Sequence, residues 1–148
     1  DAIGRRYKYH IYNSKNPFLN DRSWYYPYPM ELAELNQAAS SLLGLHDFTS
    51  FAKRRTQVYT HICTISVCQW HETEDGWVFM VEGNRFLRGM VRALVGTMVK
   101  VGRKKISVES FQNLLLSKDS AMADFSAPGH GLFLDDVIYP SEITALLK

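Results

Sequence analysis

Three arginines, Arg85, Arg88 and Arg92, fall within a mostly apolar stretch, NRFLRGMVRALVGTMVKVGRKK (84–105), beside Gly89 and Gly96. On one continuous helix their i, i+3, i+7 spacing puts all three on a single face. A guanidinium taken out of water is costly unless an anion pairs with it. That face therefore asks for a carboxylate or a phosphate opposite, and the two glycines would let another backbone come close.

Other chemistry is harder to find. The chain has no P-loop, no G-x-S-x-G, no H-E-x-x-H and no G-x-G-x-x-G. Its five histidines are scattered, as expected of structural residues. His61, Cys63, Cys68 and His71 lie close in sequence, but in an extended strand the two histidines stand about 33 Å apart, beyond one metal's reach. No metal site is expected of these residues. On a regular strand Cys63 and Cys68 fall on opposite faces and cannot bridge locally. Free thiols without a secretion signal suit a reducing cytoplasm.

The positioning elements follow from periodicity. RRYKYHIYN (5–13) alternates, with Tyr7, Tyr9 and Ile11 on one face and Arg6, Lys8, His10 and Tyr12 on the other, so it reads as a half-buried strand. Residues 14–28 read as a loop. A helix is expected from Pro29 to Leu43, with Leu32, Leu35, Ala39 and Leu42 as its buried stripe and Gly44 as its stop. Residues 46–57 read as irregular, 59–71 as a strand, and Asp75-Gly76 as the turn before a return strand, Trp77–Glu82. Asn84 is the expected cap of the arginine helix and Gly102 its end. Ser107 caps a further helix carrying Phe111, Leu114 and Leu115, and a Gly/Pro loop leads to a last strand, GLFLDDVIY. The order strand, helix, strand, strand, helix, helix, strand predicts an α+β domain, a mixed or antiparallel sheet with helices on one face.

One domain of 148 residues is expected, with 46% hydrophobic residues and a net charge of only +2, so overall charge does not itself call for a polyanion. No apolar run approaches the roughly 18 residues of a membrane span. Twelve of the 17 basic residues, however, lie in four clusters: Arg5, Arg6, Lys8; Lys53, Arg54, Arg55; Arg85, Arg88, Arg92; and Arg103, Lys104, Lys105. Four such clusters favour an acidic partner over four solvated faces.

Four segments, RRYKYHIYN, LLGLHDFTSFAKRRTQ, GNRFLRGMVRALVGTMVKVGRKKIS and APGHGLFL, stand in the order and approximate spacing found in TruA-type tRNA pseudouridine synthases, which the chain resembles from residue 5 to 134. The resemblance implies isomerisation of uridine to pseudouridine in the anticodon arm of tRNA, at positions 38 to 40, without cofactor, by a homodimer. It also implies that Tyr7 is the active-site tyrosine, Arg92 the active-site arginine and Leu132 the apolar wall against the base. Arg5, Arg6, Lys8, Arg85 and Arg88 become candidates for holding RNA, on charge and proximity. The family's nucleophilic aspartate lies in a motif upstream of R-R-Y that does not occur in this sequence. The expectation is a C-terminal half, inactive without an N-terminal half that carries the aspartate. A non-catalytic RNA-binding module of the same fold is the alternative.

Overall fold

The structure is a computed structural model that describes residues 2–54, 58 and 60–141; expectations placed on residues 55–57 and on Tyr59 lie outside these. A mixed six-stranded sheet carries helices on one face, as the sequence pattern predicts. β1 (Gly4–Tyr12) lies at its centre, flanked by β5 (Gly76–Gly83) and by β6 (Leu132–Ile138), both antiparallel to it. β4 (Ile62–Glu72) pairs with β5. Two short strands complete the sheet: β2 (Trp24–Tyr25), parallel to β1, and β3 (Gly44–Asp47), on the outer edge of β4. Both fall in stretches that read as loop, because strands of two and four residues are too short to display alternation.

Tyr9, Ile11, Phe79, Val81, Cys68 and Trp70 turn one face of the sheet towards α1 (Leu32–Ser40) and α2 (Met90–Gly102) and are all buried. α3 (Val108–Ser117) packs behind them, with Phe111 against Phe51 at 5.5 Å between ring centroids. Ser107 caps α3 as expected, its hydroxyl accepting from the Ser110 N–H.

Three boundaries differ from expectation for local reasons. α1 starts at Leu32, not Pro29, because Glu31 is still extended, at φ −99° and ψ 115°, with its N–H donating to the Gly102 carbonyl at the far end of α2. It ends at Ser40, and Gly44, at φ +92°, opens β3. α2 starts at Met90, not after Asn84. The Asn84 side chain accepts from the Thr64 N–H at 2.8 Å instead of capping a helix, and Gly89 has φ +73°, a left-handed conformation that no α-helix passes through. At the other end the left-handed residue is Lys104, φ 60°, whereas Gly102 serves close packing, since a Cβ there would stand 2.8 Å from Leu35.

A bulge corrects the cysteine expectation. Ser66 is unmatched between the pairs Ile65–Gly83 and Val67–Glu82, and this extra residue reverses the phase of the strand beyond it. Cys63 and Cys68 consequently both face the core, as free thiols whose pKa burial pushes up.

One face of α2 carries a strap, residues 124–128, that returns the chain towards β6. Arg92, Gly96 and Lys100 recur at i, i+4, i+8, so they line that face. Lys100 Nζ meets the Asp124 carboxylate at 3.1 Å, and Thr97 Oγ1 accepts from the Asp124 N–H at 3.0 Å. At Gly96 the strap comes so close that a Cβ would lie 2.3 Å from the Asp124 carbonyl oxygen. Gly96→Ala gains about 1 kcal/mol in helix propensity but must push the strap off the helix, at about 1–3 kcal/mol from overpacking. A lower urea midpoint for the variant is the expected result.

Asp124 also gives the strap an acid sensitivity. Burial works to raise its pKa, but hydrogen bonds from Ser126 and Lys100, with the Lys100 charge, outweigh it and hold the carboxyl below 3.8. Its contribution is therefore present above that unfolded value and is lost as pH falls through the lower folded value. Urea titrations from about pH 5 to about pH 3 should show a shallower loss of stability for Asp124→Asn than for the parent.

Candidate active site

Tyr7, Arg92 and Leu132, drawn from β1, α2 and β6, line one cavity of about 330 Å³. That volume is near the lower end for small-molecule sites, which span about 300–1,000 Å³. Lys53, Phe86, the turn Leu87–Gly89 and the first two residues of α2, Met90 and Val91, complete the lining. Leu132 is paired with Tyr9 across the sheet, and Tyr7 lies two residues further along β1, so Tyr7 and Leu132 share a face as diagonal neighbours. The Tyr7 ring meets Phe86 edge to face, with centroids 5.0 Å apart and planes at 86°. This contact leaves Tyr7 half-buried at the cavity wall, while Tyr9 beside it is wholly core.

Arg92 is the third residue of α2 and not a mid-helix residue, as a helix beginning at Asn84 would have made it. A cation in a first turn stands at the positive end of the helix dipole, so the helix does not stabilise it. Its Nε–H instead donates to the Ala127 carbonyl at 2.6 Å, and none of the ion pairs among the described residues includes it. Two further basic residues, Lys53 and Arg88, line the same cavity, and among the described residues no Asp or Glu does. With the N-terminus of α2 added, the cavity is suited to an anion.

The late start of α2 takes Arg85 and Arg88 off the helix, so the three arginines do not share a helical face. Arg88 is exposed on the turn and reaches the cavity. Arg85 points elsewhere, its Nη1 donating to the Thr60 and Ile62 carbonyls at 2.8 and 3.3 Å. Strand alternation sends Arg6 and Lys8 to the face opposite Tyr7. There Arg6 bonds Glu82 through Nε and Nη2 at 3.0 and 2.7 Å and lies 3.7 Å from Asp135, with Lys8 3.6 Å from the same carboxylate. The Glu82 carboxylate keeps the Arg6 guanidinium protonated beyond its ordinary range. Asp135 reaches both cations because it is the unmatched residue of a bulge in β6. Arg5 is exposed and outside the cavity lining.

Lys53 and Phe86 were not among the expected site residues. Lys53 arrives because its N–H is bonded to the Arg88 carbonyl at 3.0 Å, and its side chain lies over Gly89, where a Cβ would stand 2.8 Å from Lys53 Cγ. The signal for it was its place in a basic cluster, and the signal for Phe86 its position between two arginines; neither type announces a site alone. Among the described residues no group of His, Cys, Asp or Glu could hold a metal ion, and no helix is long and apolar enough to cross a membrane.

Comparison with known proteins agrees with this geometry at the level of family. A sequence profile of tRNA pseudouridine synthases matches residues 38–140. tRNA pseudouridine synthase A of Parabacteroides distasonis is 42% identical over 143 residues, covering 97% of this chain and 57% of that protein. The Bacteroides fragilis protein of the same name is 44% identical over 144 residues, with the same coverage. That of Bacillus subtilis is 37% identical over 140 residues, 93% of this chain and 57% of the relative. The chain thus spans little more than half the length of the curated relatives it matches, and across that span it belongs to the tRNA pseudouridine synthase family.

Proposed function

We propose that this chain supplies one wall of the active site of an enzyme that converts uridine to pseudouridine in the anticodon arm of tRNA, with Tyr7, Arg92 and Leu132 around the reacting base. The observation that carries this reading is the convergence of those three side chains on a cavity lined, among the described residues, by three basic residues and no acid. The reaction breaks the glycosidic bond from N1 and remakes it from C5, so it needs a nucleophile and a confined, rotating base. The nucleophile is proposed to be an aspartate from a part of the protein outside this sequence, which makes the chain inactive by itself. Beside the two free guanidinium nitrogens of Arg92 such a carboxylate stays ionised, as nucleophilic attack requires.

The remaining roles follow from position. The target uridine leaves its stack at a cost of a few kcal/mol. Tyr7, steadied by Phe86, presents a ring for the base to lie against, and its hydroxyl is the candidate relay from C5 to N1, giving its own proton to N1 and taking the one that leaves C5, so that the tyrosine ends as it began. Leu132 offers an apolar wall that lets the freed uracil turn without a competing hydrogen bond. Arg88 and Lys53 border the cavity and are proposed to meet RNA phosphates, whereas Arg6 and Lys8 already face carboxylates and are better read as fastening β1 to β5 and β6. A cytoplasmic homodimer is proposed on the resemblance alone.

In the full-length enzyme, Arg92→Ala should lower kcat by about 10²–10³, the range for losing one transition-state charge partner, with tRNA affinity changed less than about threefold. Tritium release from tRNA labelled at uridine C5 measures the first and filter binding the second. Turnover near the parent's would remove the reading, and binding without any turnover in the parent would favour a non-catalytic RNA-binding module. For Arg88→Ala the expected outcome is weaker tRNA binding, with the slope of log affinity against log salt reduced by about one.

A further inference from the structure

Among the described residues Arg92 has one hydrogen-bond acceptor, the Ala127 carbonyl, and that carbonyl belongs to a segment fastened on both sides. Upstream, Asp124 is held to α2 by Thr97 at its N–H and Lys100 at its carboxylate, and its Oδ1 also takes the Ser126 N–H at 2.8 Å. Downstream, the Tyr9 hydroxyl donates to the Pro128 carbonyl, the next one along. Tyr9 is fully buried, and its ring lies so close to Gly131 that a Cβ there would come within 2.8 Å. Ala127 between these anchors is also fully buried, so its carbonyl has little room to move.

This arrangement has a consequence for the arginine's geometry. A guanidinium is planar, with donors fixed in a fork. Tying Nε to one immobile carbonyl fixes that plane and leaves Nη1 and Nη2 as the donors turned to an incoming anion. The two of them form the edge that a carboxylate matches with parallel bonds. We propose that Tyr9 and Asp124, neither of which lines the cavity, are positioning residues that set the orientation of Arg92 through the Ala127 carbonyl. The role rests on the reaction proposed above, since an orientation matters only if Arg92 meets a reacting group.

Burial keeps the Tyr9 phenol protonated, as its part as donor requires, although the Arg92 charge pulls slightly the other way. Misplacing a catalytic group by about 1 Å can cost on the order of 10²-fold in rate. A carbonyl freed from one anchor is expected to produce part of that loss.

The test uses the full-length enzyme with Tyr9→Phe, Asp124→Ala and Asp124→Asn. Steady-state kinetics by tritium release should show kcat falling about tenfold or more for Tyr9→Phe and Asp124→Ala, with KM for tRNA within about twofold. Asp124→Asn, which retains an oxygen for the Ser126 N–H, should recover most of the loss. Independently of activity, the ¹⁵Nε–H resonance of Arg92 should exchange slowly with solvent in the parent and at least about tenfold faster in the two disruptive variants. Variants that melt earlier yet keep the parent's kcat and slow Nε–H exchange would make these residues merely structural and overturn the proposal. If the parent forms no pseudouridine, the functional reading fails by itself, and the exchange measurement still decides whether Tyr9 and Asp124 hold the arginine.

Discussion

The site depends on the bond between the Arg92 Nε–H and the Ala127 carbonyl. A guanidinium in the first turn of a helix is opposed by the helix dipole and, without a partner, would swing towards water. One buried acceptor prevents this and decides which edge of the group remains open. Much of the surrounding architecture supports that acceptor: the bare backbone at Gly96, the Thr97 hydroxyl and the Lys100–Asp124 pair behind it, and the buried tyrosine of β1 in front of it. The same strap then delivers Leu132 to the cavity wall, so the apolar and cationic sides of the site are placed by one run of chain.

The distribution of cations has a parallel logic. A net charge of +2 conceals two populations. Arg6, Lys8, Lys100 and Lys118 each stand within 4 Å of a carboxylate and serve the fold. Arg92 and Arg88 border a cavity whose lining, among the described residues, holds no acid. Exposed ion pairs add little stability, with a median near 0–1 kcal/mol. For Arg6 and Lys8 the larger effect is to neutralise the face of the sheet opposite Tyr7.

What could be read from sequence was whatever repeats or is long. The alternation in β1, the apolar stripe of α1 and the Ser107 cap appear in the structure as expected, because each is decided by neighbours a few residues away. The gathering of Tyr7, Arg92 and Leu132 came from motif resemblance and not from spacing, since no periodicity links residues so far apart. The common helical face of the three arginines does not exist, because a left-handed Gly89 separates two of them from the third. Glycine permits a left-handed backbone without demanding it, so the identity of residue 89 could not reveal where the helix starts. Lys53 was hidden for a related reason: the hydrogen bond that brings it in joins backbone to backbone and leaves no trace in residue type.

The unmatched Ser66 in β4 makes the strand's inside and outside a matter of counting. Below it the odd-numbered Cys63 and Ile65 are inward, and above it the even-numbered Cys68 and Trp70 are. Without this single serine the strand would alternate regularly and no side chain would turn over, since Ile65 already stands opposite Gly83 and Val67 opposite Glu82. Keeping the serine but pairing it with Gly83 is what would turn the strand: with the hairpin end held in place, the segment before it would rotate by half a pleat, trading Cys63 and Ile65 for Ile62 and Thr64 in the interior.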